Sequence, residues 1–235
     1  MNQISDITNR ITKVKYGDFS RLWQMAGITE DEWSIHDARK EFELLLNGYI
    51  NSPEKSSDTL EFFIVSGIPG SGKTTLIKEY TKKNKSLIVI SFDDIMKGLK
   101  LYNSLISKGN HSRASNDSDL QNARQEAFAK CELLARVLGY ELLERLVEHK
   151  KSVIFEHSST PKEHVELYRL IKEKYDYNLK MFYKKVSIET ALSRINKGRD
   201  NFRFTPTEYV YDRYEKIENL IDTYRSIMEV EIVLD

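Results

Sequence analysis

The stretch Gly67-Ile68-Pro69-Gly70-Ser71-Gly72-Lys73-Thr74 decides the fold. It matches the phosphate-loop pattern of a glycine, four free positions and then Gly-Lys-Ser/Thr. Its glycines let backbone N–H groups turn inward around phosphates, Lys73 can reach the β- and γ-phosphate oxygens, and the Thr74 hydroxyl can ligate Mg²⁺. The pattern predicts a site for ATP or GTP with Mg²⁺. We assign cofactor binding to Gly67, Pro69, Gly70, Ser71, Gly72, Lys73, Thr74 and Thr75.

The flanks of this loop fit a strand before it and a helix after it. Phe62-Phe63-Ile64-Val65 suits a buried parallel strand, and residues 75–80 tolerate a helix, whose N-terminus favours anions. Strands and helices then alternate, which predicts an α/β chain with the P-loop NTPase/kinase fold and a doubly wound, mostly parallel five-stranded sheet. The predicted strands cover residues 60–66, 87–91, 152–156, 178–184 and 230–234.

The residues before the first strand form a separate part of the prediction. We expect residues 1–59 to be an N-terminal helical extension of two or three short helices, followed by a kinase domain at 60–235. Thr29 and Glu32 match a capping box and predict that a helix begins there. Residues 51–58 are polar and rich in turn formers, which predicts a surface connection.

Composition limits the classes of partner. Lys plus Arg and Asp plus Glu both number 36, so no global field recruits nucleic acid or an anionic membrane. The single cysteine, Cys131, excludes an internal disulfide, and its apolar helical register predicts a buried side chain. The N-terminus lacks a signal peptide pattern, and no apolar run approaches the roughly 18 residues that span a bilayer. We therefore expect a soluble protein of the cytoplasm, either of the producing cell or, after specialised export, of a target cell.

Acidic residues follow two of the predicted strands. Asp93 and Asp94 end the second strand, and Glu156 ends the third, at the edge of a parallel sheet where ligands bind. One aspartate can accept the proton of an attacking hydroxyl, whereas the alternative is a helix N-cap. Glu156 can hold the Mg²⁺ shell or a substrate hydroxyl, with Ser158 close by. The apolar stripe of a helix that begins near Asp117 predicts core packing only.

A basic segment precedes the last long helix. Arg194, Arg199 and Arg203 lie around Gly198, a composition typical of a mobile lid that closes over a triphosphate and neutralises transition-state charge. The alternative is a solvated basic loop.

Together these clusters resemble the zeta-toxin family of P-loop kinases and its relatives, the 5′-hydroxyl polynucleotide kinases. The resemblance covers roughly residues 60 to 228 and includes the phosphate loop, the strand-end Asp93, Val-Ile-Phe-Glu at 153–156 and Arg-Phe-Thr-Pro at 203–206. It implies that Asp93 is the catalytic base and that Glu156 binds the acceptor. It also implies that Arg194 and Arg203 join Lys73 as catalytic residues in contact with the phosphates.

The resemblance further implies an acceptor that is a nucleotide-like small molecule, such as a UDP-N-acetyl amino sugar, and an antitoxin or other protein as partner. One departure bears on the acceptor. Zeta toxins usually carry a Gly-Thr pair and an arginine after the strand-three glutamate, where this chain has His157-Ser158-Ser159-Thr160. Those positions touch the acceptor sugar in the family. We assign Asp94, Glu156, Ser158 and Arg199 to substrate binding.

Three alternatives stay open. Asp93-Asp94 and the spacing of Arg194 and Arg199 also resemble a polynucleotide 5′-kinase, although the chain has no basic face in its composition. Kinases of seryl-tRNA have a similar start to the second strand. A non-enzymatic protein could instead sense nucleotide through the loop and bind a partner through residues 1–59.

Overall fold

The computed structural model describes residues 3–51, 59–83, 87–111, 117–197 and 205–235. This part of the chain forms a parallel sheet with helices on both faces. The helices are α1 (Gln3–Thr12), α2 (Phe19–Ala26), α3 (Ile35–Ile50), α4 (Lys73–Lys83), α5 (Phe92–Gly98), α6 (Lys100–His111), α7 (Asp117–Glu148), α8 (Glu163–Tyr175), α9 (Ile188–Asn196) and α10 (Thr207–Arg225). The strands are β1 (Glu61–Ser66), β2 (Ile88–Ser91), β3 (Val153–Glu156), β4 (Asn178–Lys184) and β5 (Glu229–Val233).

The five strands lie in the order β2-β3-β1-β4-β5 and every pairing is parallel. Glu156 of β3 is in register with Val65 of β1 and with Ser91 of β2, so these three strands end level with one another. The predicted doubly wound five-stranded sheet is confirmed, with strand bounds within one residue of those expected. Segments that leave β1, β2 and β3 therefore meet at one edge.

The sheet is covered on both faces because its central strands are apolar on both sides. Phe63 and Val65 of β1 pack with Ile77 of α4 on one face. Phe62 and Ile64 point to the other face and belong to the large core formed with α7, α8 and α10. A strand that is buried on both faces is expected at the centre of a parallel sheet.

Helix α7 runs through the large core and contacts α1, α2, α3, α5 and α6. Its predicted apolar stripe is confirmed as core, since Ala127, Leu134 and Leu142 have no exposed surface. Cys131 is also fully buried, and burial raises the pKa of its thiol to about 12. A thiol with so high a pKa is inert at neutral pH.

The N-terminal helices share this core. Helix α1 packs on α7 and α8, while Phe19, Trp23, Trp33 and Phe42 form an aromatic cluster beside α7. Their buried side chains belong to the same hydrophobic cluster as Phe62 of the sheet. Residues 3–51 contain three helices, in agreement with the two or three that we expect before the first strand.

The capping-box prediction was wrong about where the helix begins. Thr29 and Glu32 do exchange hydrogen bonds, with Glu32 N donating to Thr29 Oγ1 at 3.4 Å and Thr29 N donating to Glu32 Oε2 at 3.0 Å. These bonds close a turn, and α3 begins only at Ile35 with Ser34 as its N-cap. Trp33 explains the delay, because its carbonyl accepts the Trp23 indole N–H at 2.9 Å and its ring lies in the aromatic cluster.

In the part of the chain that the structure describes, no helix is both long and apolar enough to span a bilayer. The predicted surface connection falls almost entirely on residues 52–58, outside the described ranges.

Candidate active site

The phosphate loop joins β1 to α4 and depends on its glycines. Gly67, Gly70 and Gly72 all have positive φ, at 149°, 79° and 93°. A Cβ at Gly67 would lie 2.6 Å from the Lys184 carbonyl oxygen, and one at Gly70 would lie 2.5 Å from the Ala191 carbonyl oxygen. Backbone conformation and space therefore both require glycine at these two positions. The loop curls tightly against β4 and α9.

Lys73 and Thr74 open α4 at the mouth of the loop. The Lys73 ammonium donates to the carbonyl oxygens of Gly67 and Ile68, at 3.0 and 3.2 Å. The Thr74 hydroxyl donates to Glu156 Oε1 at 3.2 Å. Ser71 Oγ is buried and has no hydrogen-bond partner among the described residues. A lysine, a hydroxyl and a carboxylate thus meet at the N-terminus of α4, where the helix dipole favours anions.

A larger cavity of about 670 Å³ opens along one side of the loop. Its walls include the loop, the start of α4, Arg194 and Ile195 of α9, and the residues after β5. The lining residues are Pro69, Gly70, Gly72, Lys73, Thr74, Thr75, Leu76, Glu79, Asp93, Glu156, Lys184, Arg194, Ile195, Thr205, Val233, Leu234 and Asp235.

Arg194 is held directly over the loop. Its Nη1 donates to the carbonyl oxygens of Gly70 and Ser71, at 3.5 and 3.3 Å. Its Nη2 forms an ion pair with Asp235, whose carboxylate also lies 3.3 Å from the Lys184 ammonium. The hydrogen bonds from Arg194 and then Lys184 lower the pKa of Asp235. One carboxylate therefore pairs with two cations in the cavity wall, and the three side chains together keep one positive charge.

A smaller cavity of about 80 Å³ adjoins the larger one. Its walls come from the loop, the ends of β2 and β3, and the helices α5, α7 and α10. The lining residues are Gly67, Pro69, Lys73, Ser91, Phe92, Asp93, Met96, Glu132, Ala135, Arg136, Glu156, His157, Ser158, Pro161, Tyr209 and Arg213. Pro69, Lys73, Asp93 and Glu156 line both cavities, so they mark the boundary between them.

Asp93 and Asp94 lie in the first turn of α5 but have different environments. The alternative of an aspartate N-cap was wrong, because Ser91 caps α5 and accepts a hydrogen bond from Asp94 N at 3.4 Å. Asp93 lines both cavities. Asp94 is exposed and pairs with Lys97 at 3.5 Å, and it is not among the described residues that line either cavity.

Glu156 ends β3, which lies between β2 and β1 in the sheet. The segment after β2 carries Asp93, and the segment after β1 carries Lys73. Burial raises the pKa of its carboxyl, and the negative charge of Asp93 acts in the same direction. The positive charge of Lys73 and hydrogen bonds from Ser91 and Thr74 act in the opposite direction. Carboxyl groups whose pKa is shifted by burial and by neighbouring charges are concentrated at functional sites.

The residues after Glu156 build the floor of the smaller cavity. His157 Nδ1 accepts a hydrogen bond from Ser159 N at 2.8 Å, and its ring stacks on Phe155. His164 is fully buried beside it, with its Nε2 2.9 Å from the Tyr140 hydroxyl. Burial lowers the pKa of His157 well below the usual value and that of His164 to about 3. Both rings are neutral at pH 7 and play a structural part.

The structure brings together most of the residues that the sequence singled out. The phosphate loop, Thr75, Asp93, Glu156, Ser158 and Arg194 all line one or both cavities, while Ser71 is buried beneath the loop. Gly198, Arg199 and Arg203 lie outside the described residues, so their roles stay predictions.

Sequence reasoning missed six charged residues that line the cavities: Glu79, Glu132, Arg136, Lys184, Arg213 and Asp235. Lys184 ends β4 and Asp235 follows β5, so inspecting every strand end would have found both. Arg136 and Arg213 lie in the middle of long helices, where no motif distinguishes them from surface arginines.

Comparison with solved structures places the fold. A chain of the PezAT chromosomal toxin–antitoxin system of Streptococcus pneumoniae matches with a TM-score of 0.62 and 16% identity, over 83% of this chain and 78% of that one. AvrRxo1-ORF1:AvrRxo1-ORF2 with sulphate ions matches with a TM-score of 0.58 and 13% identity, over 84% of this chain. The same complex with ATP matches with a TM-score of 0.55 and 12% identity, over 86% of this chain.

The chain spans 63% and 61% of the AvrRxo1 chains that it matches. Identities this low compare folds, and they confirm the fold that the zeta-toxin resemblance implied. No curated protein sequence gives a significant match. The family model described as an AAA domain matches residues 62–217, from β1 through the phosphate loop and both cavities into α10. Because this match covers more than half of the 235 residues, the chain belongs to the AAA domain family.

Proposed function

We propose that this protein is a kinase that binds ATP or GTP with Mg²⁺ in the larger cavity and transfers the γ-phosphoryl group to a hydroxyl in the smaller cavity. One observation carries the proposal: Lys73, Asp93 and Glu156 line both cavities. A phosphate on one side and a hydroxyl on the other would meet at these three side chains. Phosphoryl transfer needs such positioning and charge stabilisation more than any covalent help from the protein.

The loop supplies the nucleotide site. In the proposed complex the Lys73 ammonium exchanges the carbonyl oxygens of Gly67 and Ile68 for β- and γ-phosphate oxygens, and Arg194 turns from Asp235 towards the phosphates. Both movements are short, because the two cations already lie against the loop. Structures of the AvrRxo1-ORF1:-ORF2 complex, which has a similar fold, contain ATP or sulphate ions, and this supports a phosphate site in the present protein.

Thr74 and Glu156 would hold Mg²⁺, whose charge would offset that of the phosphates. Their side-chain oxygens are 3.2 Å apart, and both are hard oxygen ligands of the kind Mg²⁺ prefers. In the described ranges, no group of three or more His, Cys, Asp or Glu side chains could hold a metal by itself. Mg²⁺ in phosphoryl-transfer sites takes its other ligands from phosphates and water, so the site needs few protein ligands.

Asp93 is the proposed base. It removes the proton of the acceptor hydroxyl as that oxygen attacks the γ-phosphorus, while the bond from the γ-phosphorus to the bridging oxygen breaks and the nucleoside diphosphate leaves. Lys73 and Arg194 stabilise the charge on the transferring group, and we expect Arg203 to do the same. Asp94 has no part in this step, because its side chain pairs with Lys97.

The acceptor we propose is a nucleotide-like small molecule such as a UDP-N-acetyl amino sugar, on the strength of the zeta-toxin resemblance. Glu156 and Ser158 would contact its hydroxyls, and Arg199 stays a proposed substrate contact. A protein partner is also proposed, since the similar structures are a toxin–antitoxin system and a two-protein complex.

The test is phosphoryl transfer into a metabolite extract, with the products detected by mass spectrometry as species that gain one phosphoryl group from isotopically labelled ATP. Lys73→Ala should abolish the transfer, because no other loop side chain offsets charge on the β- and γ-phosphates. Lys78→Ala, on the exposed side of α4, is the matched control and should keep full activity. Near wild-type transfer by Lys73→Ala would exclude this site, and nucleotide binding without any transfer would favour the nucleotide sensor.

A further inference from the structure

Two arginines of the smaller cavity are unused by the reaction described above. Arg136 comes from α7 and Arg213 from α10, and both side chains are largely buried, with exposed fractions of 22% and 18%. Burying a guanidinium is costly unless a charge or full hydrogen bonding compensates it. Two such groups in one small cavity therefore need an explanation.

Arg213 is held firmly and is incompletely satisfied. Its Nη1 donates to Thr160 Oγ1 at 2.9 Å, and its guanidinium lies over the Tyr209 ring, 4.4 Å from the centroid. Its Nε is buried without a hydrogen-bond partner among the described residues. The nearest carboxylate, Asp212, is 3.6 Å away and lies closer to Lys216, at 2.7 Å. The Nε donor of this fixed guanidinium is therefore unused by the described residues.

Arg136 has a similar surplus of donors. Its carboxylate neighbour is Glu132, one turn earlier on α7, at 3.6 Å, which exceeds a normal hydrogen-bond length. Leaving aside Lys73, Asp93 and Glu156 at the boundary, the charged side chains that line the smaller cavity are Arg136, Arg213 and Glu132. These walls therefore carry one net positive charge. The neutral His157 at their base adds none.

We propose that Arg136 and Arg213 form an oxyanion subsite that binds a phosphate or carboxylate group of the acceptor, away from its reacting hydroxyl. The subsite rests on the proposed kinase function and assigns the anionic group of the acceptor to two particular side chains. Guanidinium groups bind planar or tetrahedral oxyanions through paired N–H donors, and an anion here would compensate the largely buried positive charges of both arginines. The Tyr209 ring keeps that guanidinium in place, so little side-chain entropy is lost on binding.

The test measures anion binding to the full-length protein by calorimetry. A non-hydrolysable ATP analogue with Mg²⁺ first fills the larger cavity, and inorganic pyrophosphate or malonate is then titrated as the phosphate or carboxylate probe. We expect one further anion to bind. Arg136→Gln and Arg213→Gln should each weaken it about tenfold, since each removes a charge-assisted contact. Stronger binding of pyrophosphate would identify a phosphate acceptor, and stronger binding of malonate a carboxylate acceptor.

The controls separate this subsite from structural effects and from the nucleotide site. Arg169→Gln, at an exposed position of α8, should leave anion binding unchanged. Arg213→Lys keeps the positive charge but lacks the paired N–H donors of a guanidinium, so it should lose less anion affinity than Arg213→Gln. No second anion in the wild type, or equal binding by all variants, would overturn the subsite while leaving phosphoryl transfer untouched. If the analogue itself fails to bind, the kinase proposal fails, and pyrophosphate titration without it still decides the role of the two arginines.

Discussion

Asp93 and Asp94 are adjacent residues with the same chemistry and different environments, so they form a matched pair for testing the base. Asp93→Asn should lower kcat by about a hundredfold or more, because an amide cannot accept the hydroxyl proton, with nucleotide affinity kept within a few-fold. Asp94→Asn removes only an exposed pair with Lys97 and should stay near wild type. Steady-state kinetics with an identified acceptor measure both.

Equal losses in the two aspartate variants would contradict the base assignment. A loss confined to ATP binding in Asp93→Asn would instead assign Asp93 to the metal shell.

In the proposed nucleotide complex, Asp235 competes with the phosphates for Arg194 and Lys184. Asp235→Asn removes this carboxylate from the wall of the larger cavity, so both cations become available to a triphosphate. We expect the Kd for ATP to fall about two- to fivefold, in line with a partly exposed ion pair, and to rise more steeply with salt. Titration calorimetry at two ionic strengths gives both values. Weaker ATP binding by the variant would show that Asp235 positions Arg194 for the phosphates.

At the scale of elements, the packing of α5 on α7 depends on Gly139. A Cβ at this mid-helix position would overlap the Phe92 ring, which lines the smaller cavity beside Asp93. Gly139→Ala gains about 1 kcal/mol of helix propensity, but overpacking costs about 1–3 kcal/mol and moves Phe92. We expect a net loss of stability together with a lower kcat, measured by urea unfolding and by kinetics.

Gly48 of α3 is the matched control for that substitution. A Cβ there meets nothing within 4 Å, so Gly48→Ala should stabilise the protein by up to about 1 kcal/mol without changing kcat. If Gly139→Ala were more stable than the wild type and fully active, the expectation would be wrong. Helix α5 would then be able to shift away from α7 without disturbing the site.

Local patterns predicted where elements exist better than where they begin. Thr29-Glu32 and Ser34-Asp37 have the same capping chemistry, and sequence spacing alone cannot choose between them. The choice depends on Trp33, which joins the aromatic cluster with Trp23 only if the chain stays non-helical up to Ser34. The contact between Trp23 and Trp33 therefore determines where α3 begins.

At the scale of the whole molecule, the buried His157 and His164 make stability depend on pH. Both have pKa values lowered by burial, so the unfolded chain binds protons that the folded chain does not once the pH falls below about 6.5. Stability is therefore full above that pH and falls on acidification, by about 1.4 kcal/mol per pH unit for His164, whose pKa in the folded protein is about 3, and His157 acts in the same direction. Urea unfolding at pH 7 and 5.5 measures the loss.

A pair of histidine variants isolates this effect. Glu41, Glu144 and Glu156 have raised pKa values, which act in the opposite direction, but they are common to every variant. His164→Gln should reduce the loss on acidification, whereas His36→Gln, at an exposed position, should not. An unchanged pH dependence in His164→Gln would mean that the folded protein protonates this ring easily.

The sheet and one side of the site were predictable because strand ends carry a strong signal. The strand-end rule and the loop pattern together found Lys73, Asp93 and Glu156, all of which line both cavities. Arg136 and Arg213 were not predictable, since their meeting depends on how α7 and α10 cross the sheet edge. The helical spacing of Ala38, Phe42 and Leu46 predicts that their helix packs on the main domain, and these side chains do share a core with Phe62.

Because β3 lies between β1 and β2, it sets the distance between the segments that follow those two strands. Neighbouring strands lie about 4.8 Å apart, so the backbones that deliver the phosphate loop and Asp93 start about 10 Å apart. If β1 and β2 were direct neighbours, the Asp93 carboxylate would lie next to the γ-phosphate of the proposed complex, and the two negative charges would repel each other. Two spacings leave room for an incoming oxygen. The order of the strands therefore matters as much as any side chain, because it determines whether an acceptor hydroxyl has room to approach the γ-phosphorus.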